Sequence, residues 1–150
     1  MRVIIQRVSL AKVTVDGEII GEINQGLLLL LGIEKADTSE DIDWLCRKVC
    51  NMRIFGDEND NMNLSVKDVQ GGVLVVSQFT LHASTKKGNR PSFIKAAKPD
   101  FAEKMYEEFK GSIASELGKP ITCGRFGADM KVSLVNDGPV TISLDSKNKE

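Results

Sequence analysis

At 150 residues, with 41% hydrophobic and 27% charged residues, the chain has the size and balance of a single globular domain spanning 1–150 with a substantial core. A net charge of -1 gives no whole-chain attraction for nucleic acid, so an anionic partner must be held by a local patch. Met1 leads straight into the alternating Val3-Ile4-Ile5-Gln6-Arg7-Val8, and the longest apolar run, Leu27 to Leu31, is too short for a bilayer, so a cytoplasmic chain without a membrane partner is expected.

Arg2 to Val8 reads as a strand. Arg7 falls at its end, and on its own reads as a solvent-facing charge or half of a surface ion pair. Val13 to Ile23 reads as a hairpin turning at Asp16-Gly17, a pair suited to a tight primed turn. The unbroken leucines from Gly26 to Ile33 mark a buried central strand. Thr38 to Met52 reads as a helix, capped by Thr38 with Asp41, whose apolar stripe is Ile42, Leu45, Cys46 and Val49; Trp44 lies off that stripe. The three cysteines form no disulfide framework, and with one histidine and no paired-cysteine motif a zinc site has little to build on. Asp57, Asn59 and Asn61 have the alternate spacing of a calcium loop, but Met62 replaces the turn glycine and Asp68 the bidentate glutamate, so a polar surface loop is expected.

Gly72 to Leu81 is the segment around which the rest is arranged. Val73 to Val76 read as a strand buried on both faces. It ends in Ser77, Gln78 and Thr80, polar groups able to bind or react. Strand alternation puts Gln78, Thr80 and His82 on one face and Ser77 and Phe79 on the other. After it, Lys86, Lys87 and Arg90 make the one dense basic segment, punctuated by Gly88 and Pro91, and backbone phosphates are its natural partner. Pro99 to Leu117 reads as a second helix with Ala102, Met105, Tyr106, Phe109 and Ile113 on its buried face and Gly118 beyond its end. Met130 to Val135 and Val140 to Leu144 read as a closing pair of strands around Asn136-Asp137-Gly138-Pro139, with a frayed tail after them. The fold class expected is α+β: mostly antiparallel strands in a barrel-like sheet with two main helices.

Two kinds of chemistry are open at the central strand's end. Thr80 with His82 suggests a nucleophile and its base, but no carboxylate is visible to orient the imidazole. Alternatively, consecutive backbone N–H groups at an abrupt strand end form an oxyanion site, with Gln78 adding a side-chain donor. An RNA-binding module using the basic loop and a small esterase acting through Thr80 are the rival classes.

Ser77-Gln78-Phe79-Thr80-Leu81, Lys87 to Phe93 (KGNRPSF) and Asn136 to Thr141 (NDGPVT) resemble the D-aminoacyl-tRNA deacylase family, as do the N-terminal MRVIIQRVSLAKVTVDG and Gly124 to Leu134 (GRFGADMKVSL). The resemblance covers essentially the whole chain. It implies a cytoplasmic homodimer that hydrolyses the ester between a D-amino acid, or mischarged glycine, and tRNA. It implies a site at Ser77, Gln78, Phe79 and Thr80, with the Phe79 and Thr80 N–H groups receiving the carbonyl oxygen. It further implies a cis Gly138-Pro139 entering the partner's pocket to face the substrate's α-amino group, with Arg7 holding that motif. It implies no metal or other cofactor, and for the attack either Thr80 as nucleophile or, as the family now favours, assistance by the terminal ribose 2′-hydroxyl.

Overall fold

The computed structural model describes residues 1–150. In chain order the elements are β1 (Arg2–Val15), β2 (Glu18–Ile23), β3 (Gly26–Gly32), α1 (Ser39–Asn51), β4 (Phe55–Gly56), β5 (Met62–Leu64), β6 (Gly72–Ser77), a 3-10 turn (Phe79–His82), α2 (Pro99–Leu117), β7 (Thr122–Cys123) and β8 (Lys131–Asp145). Several local expectations are met for local reasons. Asp16 and Gly17 both take positive φ, 49° and 79°, the geometry that lets β1 fold back into β2 without splaying the pair. The Asp41 carboxylate accepts the Thr38 N–H at 2.8 Å, closing the start of α1. Pro99 opens α2, and Gly118 closes it with φ 80°. Asp57 accepts the N–H groups of Asn59 and Asn61 at 2.9 and 3.0 Å, so its carboxylate is taken up by its own loop. No helix is long and apolar enough to cross a membrane.

β1 is the spine of the sheet. Arg2 to Val8 pair with β3, Ala11 to Val15 pair with β2, and the opposite edge pairs with β8 along most of its length, all antiparallel. β3 and β6 are parallel, as are β6 and β7. The sheet is therefore mixed, which corrects the expectation of a mostly antiparallel one. The reason is the crossovers: α1 and α2 each carry the chain back to the end of the sheet where the preceding strand began, so the next strand must run parallel.

The sheet curls until β2 meets β7. A Cβ on Gly21 would lie 2.7 Å from Thr122 Cγ2 and 3.0 Å from the Cys123 carbonyl, so only glycine permits that approach. Curling creates two apolar volumes. Val8, Ala11, Val13, Leu28, Leu74 and Val76 fill the barrel. Val3, Ile5, Leu29, Val73 and Val75 face outward against α1 and α2, meeting Ile42, Leu45, Val49, Tyr106, Phe109 and Ile113. This explains the continuous apolar run in β6: Leu74 and Val76 point into the barrel and Val73 and Val75 into the helical layer. Cys46 and Cys50 belong to the helical layer, and burial pushes both thiols up, Cys50 to about 11, so neither is a ready nucleophile.

Two further expectations are corrected. The closing hairpin does not exist. Lys131 to Asp145 is one strand, and Asp137 to Val140 is an excursion within it rather than a turn between partners. The tail is not frayed. Ser146 is buried, and its hydroxyl accepts from the Met1 ammonium at 2.9 Å, while that ammonium also pairs with buried Asp37. Lys147 reaches Asp41 at 2.8 Å, tying the tail to the first turn of α1.

Candidate active site

β6 stops at Ser77, and the chain then tightens into the 3-10 turn instead of continuing extended. The alternation assumed for Gln78, Thr80 and His82 ends there. His82 turns inward and is buried, away from exposed Thr80. Neither ring nitrogen has a hydrogen-bond partner, and the nearest carboxylate oxygen, Glu34 Oε2, is 3.8 Å from Nδ1. No Thr80–His82 pair therefore forms.

The turn has a different asset. Gln78 donates its N–H to the Leu31 carbonyl at 2.7 Å, and Leu81 donates to the Gln78 carbonyl at 3.2 Å. The N–H groups of Phe79 and Thr80 come between them, at the first two positions of the turn, and make none of the bonds that join it to flanking residues. The first N–H groups of any helical turn lack an internal acceptor, and here both belong to exposed residues. Beside them the Gln78 amide donates to Thr80 Oγ1 at 2.5 Å. Ser77 and Gln78 are half-buried at the rim.

The basic loop is joined to this turn. Ser84 and Ser92 exchange two backbone hydrogen bonds of 2.9 Å, closing the loop that carries exposed Lys86, Lys87 and Arg90. Phe93 then packs edge-on against Phe79, ring centroids 5.1 Å apart. Three positive charges thus stand beside two free N–H donors, a surface suited to an anionic chain ending in a carbonyl group.

Arg7, Gly138 and Pro139 form a second group. Gln6 is opposite Thr141 and Val8 opposite Asn136, so Arg7 alone faces the four residues Asp137 to Val140, which loop out of the ladder. The Gly138-Pro139 bond is cis. Arg7 Nε donates to the Asp137 carbonyl at 3.0 Å, and Nη1 donates to the Ile54 carbonyl at 2.6 Å. Asn136 secures the base of the loop, accepting the Val140 N–H at 3.0 Å and donating to Thr141 Oγ1 at 2.8 Å. Its role was missed from sequence, although an Asn opening a Gly-Pro loop is the available signal. Gly138 and Pro139 are exposed at the tip.

One chain does not bring the two groups together. Arg7 is level with Leu27 of β3 and thereby with Val73 of β6, whereas Ser77 lies four steps further along, about 13 Å at 3.3 Å per residue. β3 also intervenes between β1 and β6.

Comparison with known proteins covers nearly the whole chain. Residues 4–145 match the family model described as D-Tyr-tRNA(Tyr) deacylase. The chain is 70% identical over 150 residues to a D-aminoacyl-tRNA deacylase of Flavobacterium johnsoniae, covering 100% of both chains. It is 60% identical over 150 residues to one of Bacteroides fragilis, again covering 100% of both. A solved structure described as c-Myc DNA Unwinding Element Binding Protein superposes with a TM-score of 0.90 at 43% identity, covering 97% of this chain and 98% of that one. With nearly all of its sheet, both helices and the segments Ser77 to Leu81, Lys87 to Phe93 and Asn136 to Thr141 inside the matched span, the chain belongs to the D-Tyr-tRNA(Tyr) deacylase family.

Proposed function

We propose that this protein hydrolyses the ester joining a D-amino acid to tRNA, releasing free amino acid and tRNA, as a chirality check on translation in the cytoplasm. The observation that carries the reading is the pair of unengaged N–H groups on Phe79 and Thr80 beside a basic loop, in a chain of this family. Phosphates of the acceptor end lie along Lys86, Lys87 and Arg90. The ester carbonyl oxygen enters between the two N–H groups, which stabilise the negative charge that grows on it as water adds to the carbonyl carbon. The bond from that carbon to the terminal ribose oxygen then breaks, and the ribose oxygen takes up a proton. The neighbouring ribose 2′-hydroxyl assists the attack. Thr80 is not the nucleophile in this reading: its oxygen already accepts from Gln78, and no base holds its proton.

The protein acts as a homodimer, because Gly138 and Pro139 lie far from their own Ser77 to Thr80 and must reach the partner's. There their carbonyls accept from the substrate's α-ammonium. With ammonium, carbonyl and adenosine held, one substituent direction at the chiral carbon is open and the other meets backbone. A D side chain fits, an L side chain clashes, and glycine passes. Release of labelled amino acid from matched D- and L-aminoacyl-tRNA tests the reading. Rapid release from D and little from L is expected; equal rates, or none, would overturn it.

A further inference from the structure

Across three strands, Asp145 of β8, Arg2 of β1 and Gly32 of β3 stand directly opposite one another in register, so their side-chain positions share one face of the sheet. Gly32 leaves its place on that face bare, and the 3-10 turn settles onto it. A Cβ on Gly32 would lie 3.0 Å from the Gln78 carbonyl oxygen, 3.0 Å from Leu81 Cβ and 3.2 Å from the His82 ring. Arg2 reaches over this bare ground. Its Nη1 donates to the Leu81 carbonyl at 2.9 Å, while its Nε donates to Asp145 Oδ2 at 2.9 Å.

We propose that Arg2, anchored by Asp145, is a positioning residue for the deacylation: it grips the turn that presents the Phe79 and Thr80 N–H groups and fixes their aim. This deepens the function proposed above and rests on it. The physical case is one of leverage. Beyond the bonds inside it, the turn's backbone is tied to flanking residues at few points: Gln78 N–H to the Leu31 carbonyl, Leu81 N–H to the Gln78 carbonyl and Ala83 N–H to the Thr80 carbonyl. Of these, only the first ties the turn to the sheet, and it does so ahead of the two reactive donors. Arg2 supplies the tie behind them, at Leu81. Two free donors held from both sides are preorganised, and their worth to a developing oxyanion depends on not having to reorganise. A charged, forked guanidinium suits the task, because one arm is fixed by a carboxylate while another binds a carbonyl, which a lysine ammonium on a flexible stem does poorly. Arg2 touches no substrate in this arrangement and acts only through the turn.

The test uses full-length wild type, Arg2→Met, Arg2→Lys and Asp145→Asn, with steady-state kinetics on D-aminoacyl-tRNA and hydrogen exchange at the amides of residues 78–83. For Arg2→Met the expected result is a kcat lower by about tenfold to a hundredfold, the usual cost of small misplacement, with KM little changed and exchange faster in the turn but not in β3 or β6. Arg2→Lys should recover less than half of the loss, and Asp145→Asn should show a smaller loss of the same kind. Full recovery by Arg2→Lys would mean that only the charge matters, and unchanged exchange in Arg2→Met would mean that the turn needs no grip; either overturns the proposal. If wild type releases no D-amino acid, the proposed function falls by itself, and the exchange rates alone then judge the grip.

Discussion

Arg7 Nε donates to the Asp137 carbonyl at 3.0 Å, so a side chain from the middle of β1 holds open the one place where β8 leaves its ladder. The same guanidinium binds the Ile54 carbonyl beyond α1 at 2.6 Å, and only 14% of the side chain is exposed. Position on the strand suggested a solvent-facing charge or half of a surface ion pair, and the family resemblance a holder of the Gly-Pro motif; within the chain its hydrogen bonds bracket the Gly138-Pro139 loop.

Arg7→Met should therefore cost about 2 kcal/mol of stability, since hydrogen bonds from a charged donor are worth about 1.5–3 kcal/mol. Its kcat/KM on D-aminoacyl-tRNA should fall at least tenfold. Denaturant unfolding and the deacylation assay measure the two effects. Gly138→Ala should behave similarly: φ is 131°, and the added Cβ would sit 2.9 Å from both Arg7 Nη2 and Val140 Cγ2. Near-wild-type activity in both variants would mean that the loop does not serve the site.

Glycine has hydrogen in both substituent directions, so glycyl-tRNA should be hydrolysed while L-alanyl-tRNA resists. Purified protein tested on the two substrates decides this. Comparable rates, or resistance of glycine, would overturn the proposal that Gly138 and Pro139 close off the L direction.

Thr80→Ala should retain substantial deacylation, because the backbone donors survive the change and His82 is no base for the hydroxyl. A substrate ending in 2′-deoxyadenosine should react far more slowly with either protein. An acyl group trapped on Thr80 and seen by mass spectrometry would refute both expectations.

Replacing Lys86, Lys87 and Arg90 together by Ala should weaken tRNA binding and lower the salt slope by about 2–3, at roughly 0.7–0.9 per lost phosphate contact. Turnover at saturating substrate should change little. Binding measured across a salt series checks this, and an unaltered slope would make the loop plain solvated surface.

The ordered tail predicts a pH effect. Burial raises the Asp41 pKa, but hydrogen bonds from Lys147, Ser146 and the Thr38 N–H outweigh it and hold the carboxyl well below the ordinary aspartate value. A depressed folded pKa contributes stability above the unfolded value of about 4, and that contribution disappears as pH falls through the folded value. Lys147→Met should thus lower stability most at neutral pH, the gap closing in acid. Thermal unfolding of both proteins between pH 7 and pH 2 tests it; a gap that widened in acid would contradict the sign.

What the sequence determined by itself was whatever depends on neighbours along the chain. Asp16-Gly17 makes its turn because both residues tolerate positive φ. Thr38 with Asp41, and Pro99 with Gly118, bound the two helices through groups a few positions apart. The apolar run in β6 announced burial, and the motif segments announced the family. Tertiary structure decided the rest, because the forces involved act between residues far apart in number. β6 runs parallel to β3 only because α1 carries the chain back over the sheet. Lys131 to Asp145 is one strand rather than a hairpin because β1 is long enough to pair with both ends of it, leaving Arg7 to face four residues at once. His82 faces inward because the bare backbone of Gly32 offers the turn a seat, and that turn, rather than an extended strand, is what leaves the Phe79 and Thr80 N–H groups free.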